Sequence, residues 1–399
     1  MTQDEVATRL DLSRPTVGQI EAGNRTVSSL ELDKLAHLFG RNIGEFLAQP
    51  FEEEDKLAAL FRAQGDVAGQ PGVVESLRQC IALGHELTSL ERILGIDRDL
   101  TAVASYPIHT PRTRWDAIEQ GQRLADEERR RLGLGSAPLP DLASLLEAQG
   151  VRTGLVDLPD DVSGLTLSDA KIGLFVVANR AHHVLRRRFS FAHEYAHVVV
   201  DRDRFGLVSR ASERDDLLEV RANAFAANFL MPEDGVRQVI AGLGKGKASR
   251  VYAEVFDEVG SVDVEGRTEA GSQTVQMYDV VLLAHSFEVS RLTALYRLRN
   301  LRIVSEAEFE SLRALDTAGK GKQLSKLLGL SEPDHEETRN EFQHRFLGLA
   351  LEAYRREDIS RGKLDELGRM VGLPGEAVDQ LVDEAGLGDD EPVGASAAQ

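Results

Sequence analysis

The sequence predicts an α+β protein, rich in helix and built of several domains. Three observations predict it. The chain has 399 residues, and domains usually run to about 100–200 residues. Most apolar residues recur at three- and four-residue spacing, the mark of helices with one buried face. Two central runs, Val151–Leu158 and Lys171–Ala178, instead alternate or stay apolar throughout, as strands do. Hydrophobic residues make up 42% of the chain, enough for real cores. No uninterrupted apolar run approaches the ~20 residues of a membrane span. The opening MTQDEVATRL lacks the basic start and apolar core of a signal peptide. Cys80 is the only cysteine, which excludes a disulfide framework and every cysteine-based zinc site, so a cytoplasmic setting is expected. The net charge of -19 argues against a general nucleic-acid scaffold. One small DNA-binding domain stays compatible with it, because the relevant charge is local.

Residues 1–50 read as short helices: Thr2–Leu10, Ser13–Glu21 with Ser13 as N-cap and Pro15 in the first turn, a third from Ser28 or Ser29, and Ile43–Leu47. Residues 51–110 form a polar helical linker. Trp115–Leu132 is a charged helix stopped by Gly and Pro, and Asp141 caps another that ends at Gln149. After the strand Lys171–Ala178 come a basic stretch, a helix from about Arg187 to Val200, and a helix over Glu213–Leu230 stopped by Met231-Pro232. Val259–Ser272 reads as a loop or weak hairpin, and Val280–Arg313 as helical. Glu341–Arg356, Arg361–Val371 and Pro374–Ala385 read as helices, and the tail from Gly388 as disordered. The expected domains are 1–50, a linker 51–110, a central domain 111–240, a helical regulatory segment 241–335 and a small helical module 336–399.

The chemistry concentrates in Phe189-Ser190-Phe191-Ala192-His193-Glu194-Tyr195-Ala196-His197. Histidines at i and i+4 lie on one helix face, so His193 and His197 can reach one zinc ion. Glu194 projects beside them, placed to take a proton from a water as it attacks a peptide carbonyl. The five-residue pattern also arises by chance on helices carrying two histidines. A catalytic zinc needs a third protein ligand. Glu219 stands on the following apolar helix, where it reads either as that ligand or as a surface acid. A strand beside the metal, Lys171–Ala178, could pair with an extended peptide by edge addition.

Phe189–His197 and the later Glu219-Val220-Arg221-Ala222-Asn223-Ala224-Phe225-Ala226-Ala227-Asn228-Phe229-Leu230-Met231-Pro232 resemble the ImmA/IrrE family of bacterial metallopeptidases. Val162-Ser163-Gly164 and the approach Arg186–Phe189 resemble it as well, so the likeness covers about residues 115–240. It implies a zincin-like core with Glu219 as third ligand, and a peptidase acting on helix-turn-helix repressors in stress responses or mobile-element control. Arg221 departs from the family, in which that residue is often acidic.

Residues Thr2–Ala7 and Leu12–Gly23 resemble the Xre/Cro-like helix-turn-helix family, with Ser13–Glu21 as recognition helix. Arg14, Thr16 and Gln19 would face base edges, and Ser13, Asn24 and Arg25 would hold phosphates. The family's first helix would precede Met1. Five Lys/Arg against seven Asp/Glu in residues 1–50 leave a protein-binding bundle as the other reading.

Weaker signals surround these two. Arg180, Arg186, Arg187 and Arg188 form a basic cluster that reads either as a solvated helix start or as a contact for an acidic substrate segment or nucleic acid. His182 and His183 read as loop residues. Ser286–Leu301 looks like a helix-turn-helix-like segment of the same family, or reads equally as core packing, and Ile359–Leu364 looks like a small C-terminal module of related regulators that contacts either protein or DNA. Ser209–Glu219 and Gly242–Ser272 are placed to act as covers that gate the site. The expected function is a cytoplasmic, DNA-associated zinc metallopeptidase that cleaves a repressor or antitoxin, with duplex DNA as a partner and a homodimer as the DNA-bound form. The alternative is a transcriptional regulator or antitoxin-like protein whose zincin fold binds or senses without proteolysis.

Overall fold

The structure is a computed structural model and describes residues 1–39, 43–47, 71–96, 103–139, 141–169, 171–210, 212, 215–245, 250–256, 261–267, 273–330 and 335–387. Residues 51–70 and 97–102 of the expected linker, parts of the Gly-rich region and the acidic tail lie outside them. The chain divides into two compact units, one from residues 1–59, 77–98 and 340–399 and the other from residues 60–76 and 99–339. Among the described residues no helix is long and apolar enough to cross a membrane.

In the first unit, α1 (Gln3–Leu10) begins at a capping box in which Thr2 and Glu5 satisfy each other's backbone amides. Asp11 takes a left-handed conformation, φ 56°, and ends it. α2 (Arg14–Glu21) starts at the Ser13 cap with Pro15 in its first turn. α3 (Ser29–Phe39) and α4 (Ile43–Leu47) follow. Val6, Ala7, Leu10 and Val17 form a small core, covered by Leu12, Leu35 and Leu38. The same unit holds most of α5 (Pro71–Ile93) and the C-terminal helices, where Lys363 ties to Glu86 at 2.8 Å.

The second unit carries the sheet. In chain order it contains α6 (Arg114–Arg131), α7 (Leu142–Ala148), β1 (Arg152–Val156), β2 (Val162–Asp169), β3 (Gly173–Asn179), α8 (Val184–Val200), β4 (Gly206–Arg210), α9 (Leu217–Leu230) and α10 (Glu233–Gly242). The strand order is β1-β3-β2-β4, with β1 parallel to β3 and the other pairs antiparallel. The helix-rich α+β class is as expected. Two of the four strands, β2 and β4, were not expected. β2 carries Ser163, Gly164, Thr166 and Ser168 among its apolar residues, so its pattern lacks a clean apolar face, and β4 has only five residues. The strand expected to offer an edge, β3, is central and paired on both sides. The edge strands of this sheet are β1 and β4.

α8 begins at Val184, three residues earlier than expected, and packs on β2 and β3. α9 begins at Leu217, because Asp216 caps it by accepting from the Leu218 amide at 2.8 Å. α9 lies tightly against α6. A Cβ at Gly121 would stand 2.4 Å from the Arg221 carbonyl oxygen and 2.8 Å from the Ala224 Cβ, so only glycine allows this approach. Tyr195, Phe225 and Phe229 lock α8 to α9 with ring centroids 5.2 to 6.1 Å apart. Such pairs contribute about 0.5–1.5 kcal/mol each beyond their buried area. Buried Glu128 on α6 accepts from Tyr106 at 2.7 Å, from Arg131 and from Tyr195, which fixes the back of the histidine helix.

β5 (Arg250–Phe256) and β6 (Ser261–Arg267) form an antiparallel hairpin where a loop or weak hairpin was expected. Val280–Arg313 divides into three helices, α11 (Met277–Ser286), α12 (Arg291–Asn300) and α13 (Glu306–Thr317). Left-handed Glu288 and Arg302 and the caps Ser290 and Ser305 make the breaks. α14 (Lys320–Leu327) follows; α15 (His335–Arg355) begins six residues before the expected Glu341, and α16 (Arg361–Met370) and α17 (Gly375–Glu384) lie within one residue of the expected bounds.

Candidate metal centre

α8 places His193 and His197 one turn apart, with ring centroids 5.1 Å apart. The first turn of α9 brings Glu219 against both. Its Oε2 lies 3.1 Å from Nε2 of His193 and its Oε1 lies 3.3 Å from Nε2 of His197. These three buried residues offer donor atoms all within 4.8 Å of one another, and among the described residues they form the group able to hold a metal ion. Both Nε2 atoms are buried and make no properly directed hydrogen bond. Two imidazole nitrogens and a carboxylate converging in this way are a donor set suited to a divalent metal.

The far nitrogens are held from behind. Nδ1 of His197 lies 2.9 Å from Oδ2 of Asp201, and Nδ1 of His193 lies 3.1 Å from Oδ1 of Asn223. Arg221 donates to both oxygens of Asp201. These contacts fix ring orientation and leave Nε2 facing the metal position. Burial alone would lower the pKa of His197, but its bonds to Asp201 and Glu219 outweigh burial and push it up to about 10. Burial would likewise raise Glu219, yet the two histidines hold its carboxyl well below the usual range.

Glu194 is fully buried. Its Oε2 accepts from the Thr166 hydroxyl on β2 at 2.8 Å, while among the described residues Oε1 makes no well-directed hydrogen bond, although the Ser209 side chain lies close enough to favour the charged carboxylate. Burial raises its pKa, against the opposing charges of His193 and His197. Gly164 on β2 makes room for this carboxylate, since a Cβ there would stand 2.7 Å from Oε1 of Glu194 and 2.7 Å from the Val177 carbonyl oxygen. A register shift between Val162 and Gly164 marks a bulge in β2 beside this point. A cleft of about 200 Å³ opens over the centre, lined by His193, Glu219, Asn223, Ser163, Phe189, Ser190, Arg186 and Arg210.

In the N-terminal helices, Arg14, Gln19 and Asn24 are exposed. Arg14 makes a 3.6 Å ion pair with Asp4. The Ser13 hydroxyl is the helix cap and lies 2.7 Å from the Thr16 hydroxyl. Arg25 is half-buried and binds Glu31 at 2.8 Å.

Residues 147–256 match the M78 peptidase family model, described as the IrrE N-terminal-like domain, and residues 1–46 match the helix-turn-helix model. The chain carries an IrrE-like domain behind a helix-turn-helix. No curated protein matches it.

The IrrE-like domain thus contains all three residues of the metal-compatible cluster together with Glu194. Asp201, Asn223 and Thr166 are not among the site residues expected from the sequence. A signal existed for two of them: Asp201 follows His197 by four residues and Asn223 follows Glu219 by four, the spacing of one helix face. No spacing rule points to Thr166, because it reaches Glu194 across the sheet. The basic cluster divides. Arg180 binds the Leu155 carbonyl at 2.7 Å and lies 3.4 Å from Asp157, and Arg188 binds the Leu139 carbonyl and pairs with Glu288. Arg187 is buried, and Arg186 is exposed at the cleft. His182 and His183, both half-buried, lie just before α8, which the His183 side chain caps by accepting from the Leu185 amide. Ser209 and Arg210, expected to open a mobile cover, are buried in β4 because they pair with β2.

Proposed function

We propose that this chain is a cytoplasmic zinc metalloendopeptidase and regulator, which hydrolyses a peptide bond in a protein partner such as a repressor or antitoxin and acts at duplex DNA through its helix-turn-helix. The observation that carries the reading is the buried set His193, His197 and Glu219 with Glu194 beside it, one oxygen of Glu194 anchored and the other making no well-directed hydrogen bond among the described residues. His193, His197 and Glu219 would hold the zinc. When bound, zinc supplies Lewis acidity that polarises a peptide carbonyl and makes a water more acidic.

The rest is work for the chain's own residues. Glu194 takes a proton from the attacking water at Oε1 and delivers it to the leaving amine nitrogen. Thr166 holds Oε2, so the carboxylate cannot swing away from the reacting atoms. Burial raises the basicity of Glu194, which suits a group that must accept and then return a proton near neutral pH. The peptide is bound as an extended strand along β4, whose outer edge has no paired strand among the described residues. At the DNA, Arg14, Thr16 and Gln19 would reach bases and Ser13, Asn24 and Arg25 phosphates, with a dimer on a two-fold site.

The alternative, a zincin fold that senses without cleaving, leaves Glu194 without a task. A purely binding site does not require such a buried carboxylate next to the ligands. The test is incubation of wild type and Glu194→Gln with the proteins encoded by neighbouring genes, with and without zinc. Zinc-dependent cleavage of one of them by wild type alone is expected. Cleavage by neither, with zinc bound to both, would favour the sensor.

A further inference from the structure

We infer that Arg210 is a specificity-determining residue that binds a carboxylate of the peptide substrate next to the cleaved bond. The inference rests on the peptidase reading of this cleft. Arg210 is the last residue of β4, opposite Val162, and it lines the cleft with His193 and Glu219. It is only 6% exposed, and its Nε and one Nη are buried with no hydrogen-bond partner. Among the described residues no carboxylate pairs with it.

Such an arrangement is costly. A guanidinium does not lose its proton in a protein, so it cannot escape burial by neutralising. Buried charges are otherwise paired. The chain has 66 acidic residues against 47 basic ones, so an acid could readily have been supplied. Neighbouring arginines show the usual solution: Arg221 is bound to Asp201, and Arg188 to Leu139 and Glu288. The acid that lines the same cleft, Glu219, is committed between two imidazoles, and Asn223 to His193. Among the described residues none is left to partner Arg210, which leaves its guanidinium open to a group on a bound ligand.

The cleft describes that partner. Arg186 adds a second, exposed cation at the same cleft. Phe189 adds an apolar wall. The planar guanidinium fork matches a carboxylate through two parallel hydrogen bonds. The position at the end of an edge strand sets Arg210 beside a peptide lying along that strand. The ligand is a carboxylate on a short apolar stem, either an Asp or Glu side chain within the peptide or the carboxylate of a chain end.

The test uses the full chain as Glu194→Gln, zinc-loaded, so that bound peptide is not turned over. The probes are fluorescent, acetylated and amidated octapeptide pools with Glu fixed at each position in turn, the same pools with Gln, and a Gln pool with a free C-terminus. Anisotropy should show at least one Glu pool, or the free-terminus pool, binding about tenfold tighter than its neutral counterpart, as hydrogen bonds to a charged group allow. Preference for an internal Glu identifies a side chain as the source, and preference confined to the free terminus identifies the chain end. In the Glu194→Gln background, Arg210→Gln should abolish the preference, and Arg210→Lys should keep a smaller one. Arg210→Gln should also melt at a higher temperature without peptide, since it removes an unpaired buried charge. Equal binding of charged and neutral pools, or a preference that survives Arg210→Gln, overturns the inference. So does a lower melting temperature for Arg210→Gln, which would assign the side chain a structural role. An Arg210-dependent preference in a chain that cleaves nothing would sustain this inference while the peptidase reading fails.

Discussion

Arg221 donates to both carboxylate oxygens of Asp201, at 2.7 and 2.6 Å, from a helix 20 residues further along the chain. Asp201 in turn meets Nδ1 of His197. The residue that departs from the family pattern therefore supports the histidine from behind, and Glu219 remains the acid that faces the metal position. Arg221→Leu would leave Asp201 unpaired and its grip on His197 looser. The expected result is metal affinity lower by about 10–100-fold, the usual effect of losing such a support. Competition with a chelator of known strength measures it, and an unchanged affinity would show that Asp201 needs no partner.

Zinc content tests the centre directly. Wild type is expected to hold about one zinc per chain, because three ligands fix the ion and leave one position open. His193→Ala and His197→Ala should lose it, and Glu219→Ala should bind more weakly. Elemental analysis decides. Equal metal in wild type and the double histidine variant would remove the site.

Glu194→Gln should keep zinc and fold while losing about 10²–10⁴-fold in hydrolysis, since the amide cannot take a proton from water. Turnover by the variant at the wild-type rate would exclude Glu194 as the base.

Gly164→Ala adds a methyl group where 2.7 Å separates the new atom from both Oε1 of Glu194 and the Val177 carbonyl. Neither can give way easily, because one is held by Thr166 on the same carboxylate and the other is sheet backbone. The expected cost is about 1–3 kcal/mol in stability, as for other overpacked cores, together with lost activity. Urea unfolding and turnover measure the two. A variant as stable and active as wild type would mean that the strand and Glu194 can separate freely.

Arg14→Ala should weaken specific duplex binding by about 1–3 kcal/mol if Arg14 reads a guanine. Its ion pair with Asp4 is exposed and 3.6 Å long, so little is lost when the side chain turns to DNA. Gel-shift titrations at fixed salt would show it. Equal affinity of both proteins for any duplex would point to a protein-binding role for residues 1–46.

Local patterns in the sequence were enough to place the helices that carry the chemistry. The i, i+4 spacing of His193 and His197 puts both on one helix face whatever surrounds it, and the caps at Ser13 and Asp141 mark helix starts through bonds to their own neighbours. The extents of α8 and α9 were less legible, because the Asp216 cap lay inside an acidic run that read as helix. Glu219 could be named as a candidate, but only the packing of α9 against α8 and α6 brings it against the two imidazoles. The sheet was half visible. β3 is apolar throughout and readable, whereas β2 carries small and polar residues for the sake of Glu194, so its pattern points to no strand. Which strand is central and which is an edge is set by pairings between residues as far apart as Thr166 and Leu207, which no local pattern encodes. The same holds for Thr166 against Glu194 and for the unpaired burial of Arg210. Each depends on what the rest of the chain places around one side chain, and that is decided only when the sheet and helices close on one another.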